Sequence, residues 1–204
     1  MKKIYISGGF MPTYFIHLSV AKKVSPNAGL DFFIGNLAPD SVSRKEKDIN
    51  HFRNEPDMES ALKKFAQTKN MKNEYLKGFL LHLFVDWKWN NTILANFKKN
   101  EGNDWYKKYY DEGGLIESYG SHNAEWVYKL REQMNLCNSF NYVETEFVTK
   151  EGIKAMFENS NSWKIENKTK PSTAFPPELI EKFASDTADD FIKWFSDLEL
   201  ISSE

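Results

Sequence analysis

Residues 78–89, GFLLHLFVDWKW, decide how the rest of the chain is read. Apolar residues fall on nearly every side of a helix drawn through them, which predicts a helix running through the middle of the protein. His82 and Asp86 interrupt the apolar run. Their spacing stacks both side chains on one helical face. A carboxylate in such a helix is strongly unfavourable unless it is paired or bound to a metal ion. The imidazole one turn away points to the metal. Gly78, one turn before His82 on the same face, leaves room for another backbone or for the site itself.

Working outward, the periodicity predicts a helix over Tyr14–Val24 with Thr13 as its N-cap, and a short apolar helix over Leu30–Leu37. Ala38-Pro39 ends the latter and puts Asp40 just beyond it. Residues 41–50 read as a polar surface loop, followed by His51-Phe52. Asp57 caps a helix to Thr68. Residues 71–99 hold the central helix and a more polar continuation. Gly113-Gly114 reads as a break, and residues 115–136 as a long helix with Gly120 as its weak point. Residues 138–148 read as extended or irregular. Thr149 caps a helix to about residue 159, and residues 161–176 form a polar linker. Pro177 opens a last amphipathic helix over residues 178–200. Few segments alternate as strands do. The expected fold is all-α, a single multi-helix domain over residues 1–204.

Composition narrows the function. The chain has 204 residues, enough for one full core, with 41% hydrophobic and 27% charged residues. Aromatic residues make up 15%, enough for a thick core or an apolar-ligand groove. A formal net charge of −2 gives no basic field for nucleic acid, so no nucleic-acid partner is expected. Lys107-Lys108 between Tyr106 and Tyr109 is the one basic-aromatic stretch, and it reads as a solvated helix. Cys137 is alone, which excludes a disulfide framework and a thiolate zinc site. Any metal must therefore use His, Asp and Glu. No run approaches the roughly 18 apolar residues of a membrane span.

The first residues only mimic a signal peptide. Gly8, Gly9, Pro12 and His17 break its hydrophobic region, and cleavage after Ala21 would discard His17. A cytoplasmic protein is expected. Two starts are open, Met1 or Met11, and the second would make residues 1–10 an N-terminal extension.

The four histidines are His17, His51, His82 and His122. Each of His17, His51, His82, Asp40 and Asp86 has a structural explanation alone: a core histidine, a turn acid, a His82–Asp86 hydrogen bond. Together, His17…Asp40…His51…His82-x3-Asp86 is a nitrogen and oxygen ligand set. It suits Zn²⁺, and also Mn²⁺ or Fe²⁺. Four of the five fill one tetrahedral centre. A fifth, with a shared carboxylate, allows two ions, the arrangement used for phosphoester cleavage by metal-activated water. Asp40 is the candidate catalytic residue, to orient or deprotonate that water.

The order of these pieces resembles the zinc-dependent phospholipase C family, related to the single-strand-specific zinc nucleases. The pieces are Thr-x3-His at Thr13–His17, Gly-x3-Pro-Asp at Gly35–Asp40, His51, and Gly-x3-His-x3-Asp at Gly78–Asp86. The resemblance spans roughly residues 11–90. It implies an all-α fold in which Asp40, His51, His82 and Asp86 surround one metal, while Asp86 also reaches a second metal held by His17. In the family that second metal also takes the free amino end of the mature chain, and here ten or more residues precede His17. No histidine other than His122 follows Asp86, so a third metal is not expected, and His122 is expected to be a polar neighbour rather than a ligand. The implied function is that of a metal-dependent hydrolase, a phospholipase C-like phosphodiesterase acting on a small phosphoester or a phospholipid headgroup. The alternatives are a non-catalytic helical protein that retains part of the metal site, or a metal-dependent phosphohydrolase or nuclease of another type. No His is directly followed by Asp, which disfavours the His-Asp phosphohydrolases.

Overall fold

The computed structural model describes residues 12–137, 139–161 and 170–201. In order, the helices are α1 (Tyr14–Val24), α2 (Leu30–Leu37), α3 (Arg44–Asn50), α4 (Met58–Thr68), α5 (Glu74–Trp89), α6 (Ala95–Glu101), α7 (Trp105–Asn123), α8 (Glu125–Leu136), α9 (Lys150–Asn161) and α10 (Pro177–Ile201). Among the described residues there is no strand, and the fold is all-α. None of these helices is long and apolar enough to cross a membrane. Both candidate starts, the extension between them and part of the linker before Pro177 lie outside the described residues.

The central stretch is α5. It starts at Asn73, whose side chain accepts from the Leu76 N–H at 3.1 Å, and nearly every residue from Tyr75 to Asp86 is buried. Helix α2 crosses it at very short range because two glycines face each other's backbones. A Cβ on Gly78 would lie 2.0 Å from the Phe32 carbonyl oxygen, and one on Gly35 would lie 2.0 Å from that of Tyr75. Gly78 therefore makes room for a neighbouring backbone, the first of the two uses expected of it. Helices α1, α4 and α10 cover other sides of α5. Phe84 meets Phe191 edge-on at 5.3 Å, and Trp89 meets Phe183 at 5.0 Å. Much of the aromatic surplus is therefore core. After Trp89 the helix widens into one π segment, Asn90–Leu94, before α6.

Four expectations are corrected. Residues 41–50 are not a loop: Ser43 and Glu46 form a capping box, Glu46 Oε2 accepts from the Ser43 N–H at 2.9 Å, and α3 follows. Gly113-Gly114 is not a break or a turn. Helix α7 runs through it, because its neighbours Ile116 and Glu117 are anchored in the interior. The long helix expected over 115–136 is instead divided at Ala124. Gly120 is a packing site, where a Cβ would lie 2.4 Å from the Phe15 ring. Thr13 does precede α1, but its hydroxyl is buried without a hydrogen-bond partner rather than capping the helix.

Candidate metal centre

Three elements converge on the face of α5 that carries His82 and Asp86. Helix α1 brings His17, whose ring stacks on that of His82 with centroids 3.8 Å apart and planes within 3°. A short 3₁₀ turn after α2, Ala38–Ser41, brings Asp40. The residue after α3 is His51. Asn50 Nδ2 donates to the Pro39 carbonyl at 2.8 Å and stitches the end of α3 to the turn that carries Asp40. His17, His51, His82 and Asp86 have no exposure, and Asp40 has 8%.

The five side chains form two groups that share His82. One is His17, His82 and Asp86; the other is Asp40, His51 and His82. Within each, one ligand atom per residue lies within 4.8 Å of the others. Asp86 faces both sides. Its Oδ1 is 3.3 Å from His17 Nε2, and its Oδ2 is 3.9 Å from His51 Nε2. Asp40 Oδ1 is 3.4 Å from His51 Nε2. The structure thus brings together all five expected residues. His122 is exposed on α7 and away from them.

The hydrogen bonds assign the tautomers. His82 Nδ1–H donates to the Asn36 carbonyl at 2.7 Å, and His51 Nδ1–H donates to the Lys47 carbonyl at 2.8 Å. Carbonyl oxygens only accept, so both protons sit on Nδ1. In the neutral rings both Nε2 atoms are then bare lone pairs, and they face each other at 3.2 Å. Two lone pairs at that distance repel unless a positive charge lies between them. Around them, both nitrogens of His17 and both oxygens of Asp86 are buried without hydrogen-bond partners. The expected alternative, His82 hydrogen-bonded to Asp86, is not what the geometry contains. One proton between His51 and His82 would leave the His17 and Asp86 atoms orphaned. A cation with several coordination positions would satisfy both sets, so the donor set fits a divalent metal.

Electrostatics agree with ligands in their metal-binding protonation states. Burial, reinforced by neighbouring His17, pushes the His82 imidazole down to about 3, so it stays neutral. Burial opposes the charge on Asp40, yet Lys47 and His51 hold its carboxyl well below the usual range. Burial likewise opposes the charge on Asp86, and nearby His17 and the other imidazoles hold it low. Both carboxyls are ionised acceptors.

Other residues at the site had not been expected from the sequence. Lys47 Nζ is 3.2 Å from Asp40 Oδ1, and Arg53 Nη2 is 3.7 Å from Asp86 Oδ2. Lys47 lies one turn before His51, a spacing visible in the sequence once residues 44–50 are read as a helix. Arg53 lies two residues after His51, which alone says little. Burial, then the charges of Asp40 and Glu117, keep the Tyr14 phenol well above its ordinary range and so protonated. Glu117 itself accepts from the Phe15 N–H at 2.8 Å, helping to set the start of α1. No family model, no curated protein and no solved structure matches the chain.

Proposed function

We propose that the chain is a metal-dependent hydrolase of the zinc-dependent phospholipase C type, cleaving a phosphodiester of a small molecule or a phospholipid headgroup. The observation that carries the proposal is the pair of bare Nε2 atoms facing each other at 3.2 Å between two ionised carboxylates. His17, Asp40, His51, His82 and Asp86 would hold one or two ions, Zn²⁺ first and Mn²⁺ or Fe²⁺ next. Such an ion supplies Lewis-acid polarisation of a phosphoryl oxygen and lowers the pKa of a water it holds. The Asn36 and Lys47 carbonyls fix the His82 and His51 rings with their lone pairs turned inward. Asp86, with one oxygen toward each group, is the residue suited to bridge them. Asp40 is held so far into its ionised form that it is a weak base at neutral pH, so its proposed catalytic part is to orient a water rather than to take its proton. Cleavage after Ala21 would remove His17, so the proposal assigns the protein to the cytoplasm.

The test is hydrolysis of bis-p-nitrophenyl phosphate by untagged protein loaded with Zn²⁺ or Mn²⁺. Activity that disappears on chelation and in His82→Ala supports the proposal. Stoichiometric metal without hydrolysis of any phosphodiester refutes it.

One observation favours a non-catalytic metal centre as a second reading. All five residues are buried, and two surface grooves, one at Lys22, Phe33 and Trp126 and one at Phe15, Tyr119 and Ile180, are lined by other residues. Cobalt substitution separates the two. An open position gives a visible spectrum that changes with added anions, whereas a site closed by protein does not respond.

A further inference from the structure

Arg53 is a half-buried cation with one buried N–H group that metal binding alone leaves unused. Its Nη1 donates to Asp48 Oδ1 at 3.1 Å near the surface. Its Nη2 is buried, has no hydrogen-bond partner, and lies 3.7 Å from Asp86 Oδ2, beyond hydrogen-bond reach. A buried guanidinium N–H without an acceptor is unfavourable, and an incoming anion would satisfy it. The planar fork of arginine suits the paired non-bridging oxygens of a phosphoryl group.

The backbone that delivers Arg53 is specialised. Helix α3 ends in a Schellman turn, with Phe52 N–H donating to the Ile49 carbonyl at 3.0 Å and Arg53 N–H to the Asp48 carbonyl at 2.9 Å. The residue in the left-handed position is Phe52, with φ 55°, where glycine is usual. This turn sends His51 into the cluster and brings Arg53 back to it two residues later.

Charge balance points the same way. Asp40, Asp86 and, nearer the surface, Asp48 carry negative charges here, and Lys47 and Arg53 offset two of the three. Imidazoles that ligate a metal are neutral, so one divalent ion bound there turns the net charge from minus one to plus one and a second raises it further. Such a centre calls for an anion.

We infer that Arg53 is a substrate-binding residue that receives a non-bridging phosphoryl oxygen beside the metal centre, which makes the substrate an anionic phosphoester rather than a neutral ester. This rests on the metal-centre proposal. The shared ligand chemistry is a phosphoryl group, carried by a lipid headgroup or a small soluble ester.

The test is calorimetric titration of inorganic phosphate into zinc-loaded and chelator-treated protein, wild type and Arg53→Gln, with bound zinc measured in each. Zinc-loaded wild type should bind phosphate. Chelated wild type, and Arg53→Gln with its zinc retained, should bind about tenfold more weakly or worse. Equal phosphate affinity in zinc-loaded Arg53→Gln overturns the assignment while leaving the metal centre standing. Absence of zinc in wild type removes both. Should Arg53→Gln not fold, phenylglyoxal labelling of the zinc-loaded wild type gives the answer by mass spectrometry. Phosphate should slow labelling at Arg53 and not at Arg44, and unchanged labelling at Arg53 overturns the inference. Displacement of phosphate by dihexanoyl-phosphatidylcholine alone identifies a headgroup. Displacement by glycerol phosphate alone identifies a small soluble ester, and displacement by neither counts against the assignment.

Discussion

Gly78→Ala tests how the fold builds the site. The new Cβ would sit 2.0 Å from the Phe32 carbonyl oxygen and 2.8 Å from the Asn36 nitrogen. Ordinary contact begins near 3.4 Å, so α2 and α5 must part by about 1.4 Å. Both contacting groups are helical backbone, so no side chain can swing away to absorb the change. Overpacking of this kind costs about 1–3 kcal/mol, sometimes more. The His82–Asn36 hydrogen bond, 2.7 Å long, crosses the same interface, and parting the helices would break it at a further cost of about 1–3 kcal/mol. Replacing a helical glycine by alanine returns roughly 1 kcal/mol. The net expectation is a loss of about 1–5 kcal/mol, together with weaker metal binding because His82 loses its orienting carbonyl. Gly114→Ala is the control: it is also helical, a Cβ there meets nothing within 4 Å, and it should stabilise by about 0.5–1 kcal/mol. Urea unfolding followed by circular dichroism measures both. If Gly78→Ala matches or exceeds wild-type stability, the close crossing does not depend on the missing side chain and the reasoning is wrong.

Three further outcomes are expected. Metal-free protein should lose stability on acidification: the His82 pKa is about 3 in the fold against about 6.5 unfolded, so between those values the unfolded chain binds a proton that the native one does not. Stability from this residue is therefore complete above about pH 6.5 and declines by up to ~1.4 kcal/mol per pH unit below it. Asp40 and Asp86, whose pKa values are lowered, add a further loss below about pH 3.8. A higher urea midpoint at pH 5 than at pH 7 would contradict this. Zinc at a hundred times its dissociation constant should stabilise by about 2.7 kcal/mol, read as a rise in Tm of roughly 5–11 °C that EDTA reverses; an unmoved melting curve would count against a native-state site. Glu117→Ala should cost about 3 kcal/mol, because it strips the buried acceptor from Phe15 N–H and leaves Arg131 Nη2, now 3.0 Å from Glu117 Oε1, without its charge partner; a loss below 1 kcal/mol in the urea midpoint analysis would show the pair to be dispensable.

Much of the fold was legible because its signals are local. Tyr14–Val24 and Leu30–Leu37 are bounded by Thr13, Pro26 and Pro39, and both form helices with those bounds. Asp57 and Thr149 mark helix starts through side-chain acceptors, whereas the Asn73 cap of α5 was not read from the sequence. Helix α3 was hidden because RKEKDIN has no continuous apolar stripe; the Ser43–Glu46 box was its one signature. Gly113-Gly114 misled because glycine propensity is weak against the tertiary anchoring of α7. The convergence of His17, Asp40, His51, His82 and Asp86 was legible from residue type and order. Arg53 and Lys47 were not, since their role depends on the turn at Phe52 and on a helix that propensity did not reveal. The backbone carbonyls of Asn36 and Lys47 carry no side-chain signal, yet they decide which nitrogen of each histidine is bare.

The most direct measurement is the zinc content and zinc affinity of untagged protein, with His82→Ala and Asp86→Asn alongside. The expected result is at least one tightly held Zn²⁺ per wild-type chain and none in either folded variant. Wild-type protein that folds fully and takes up no zinc, manganese or iron above background would contradict the account, because the facing nitrogens of His51 and His82 would then be held by a proton alone.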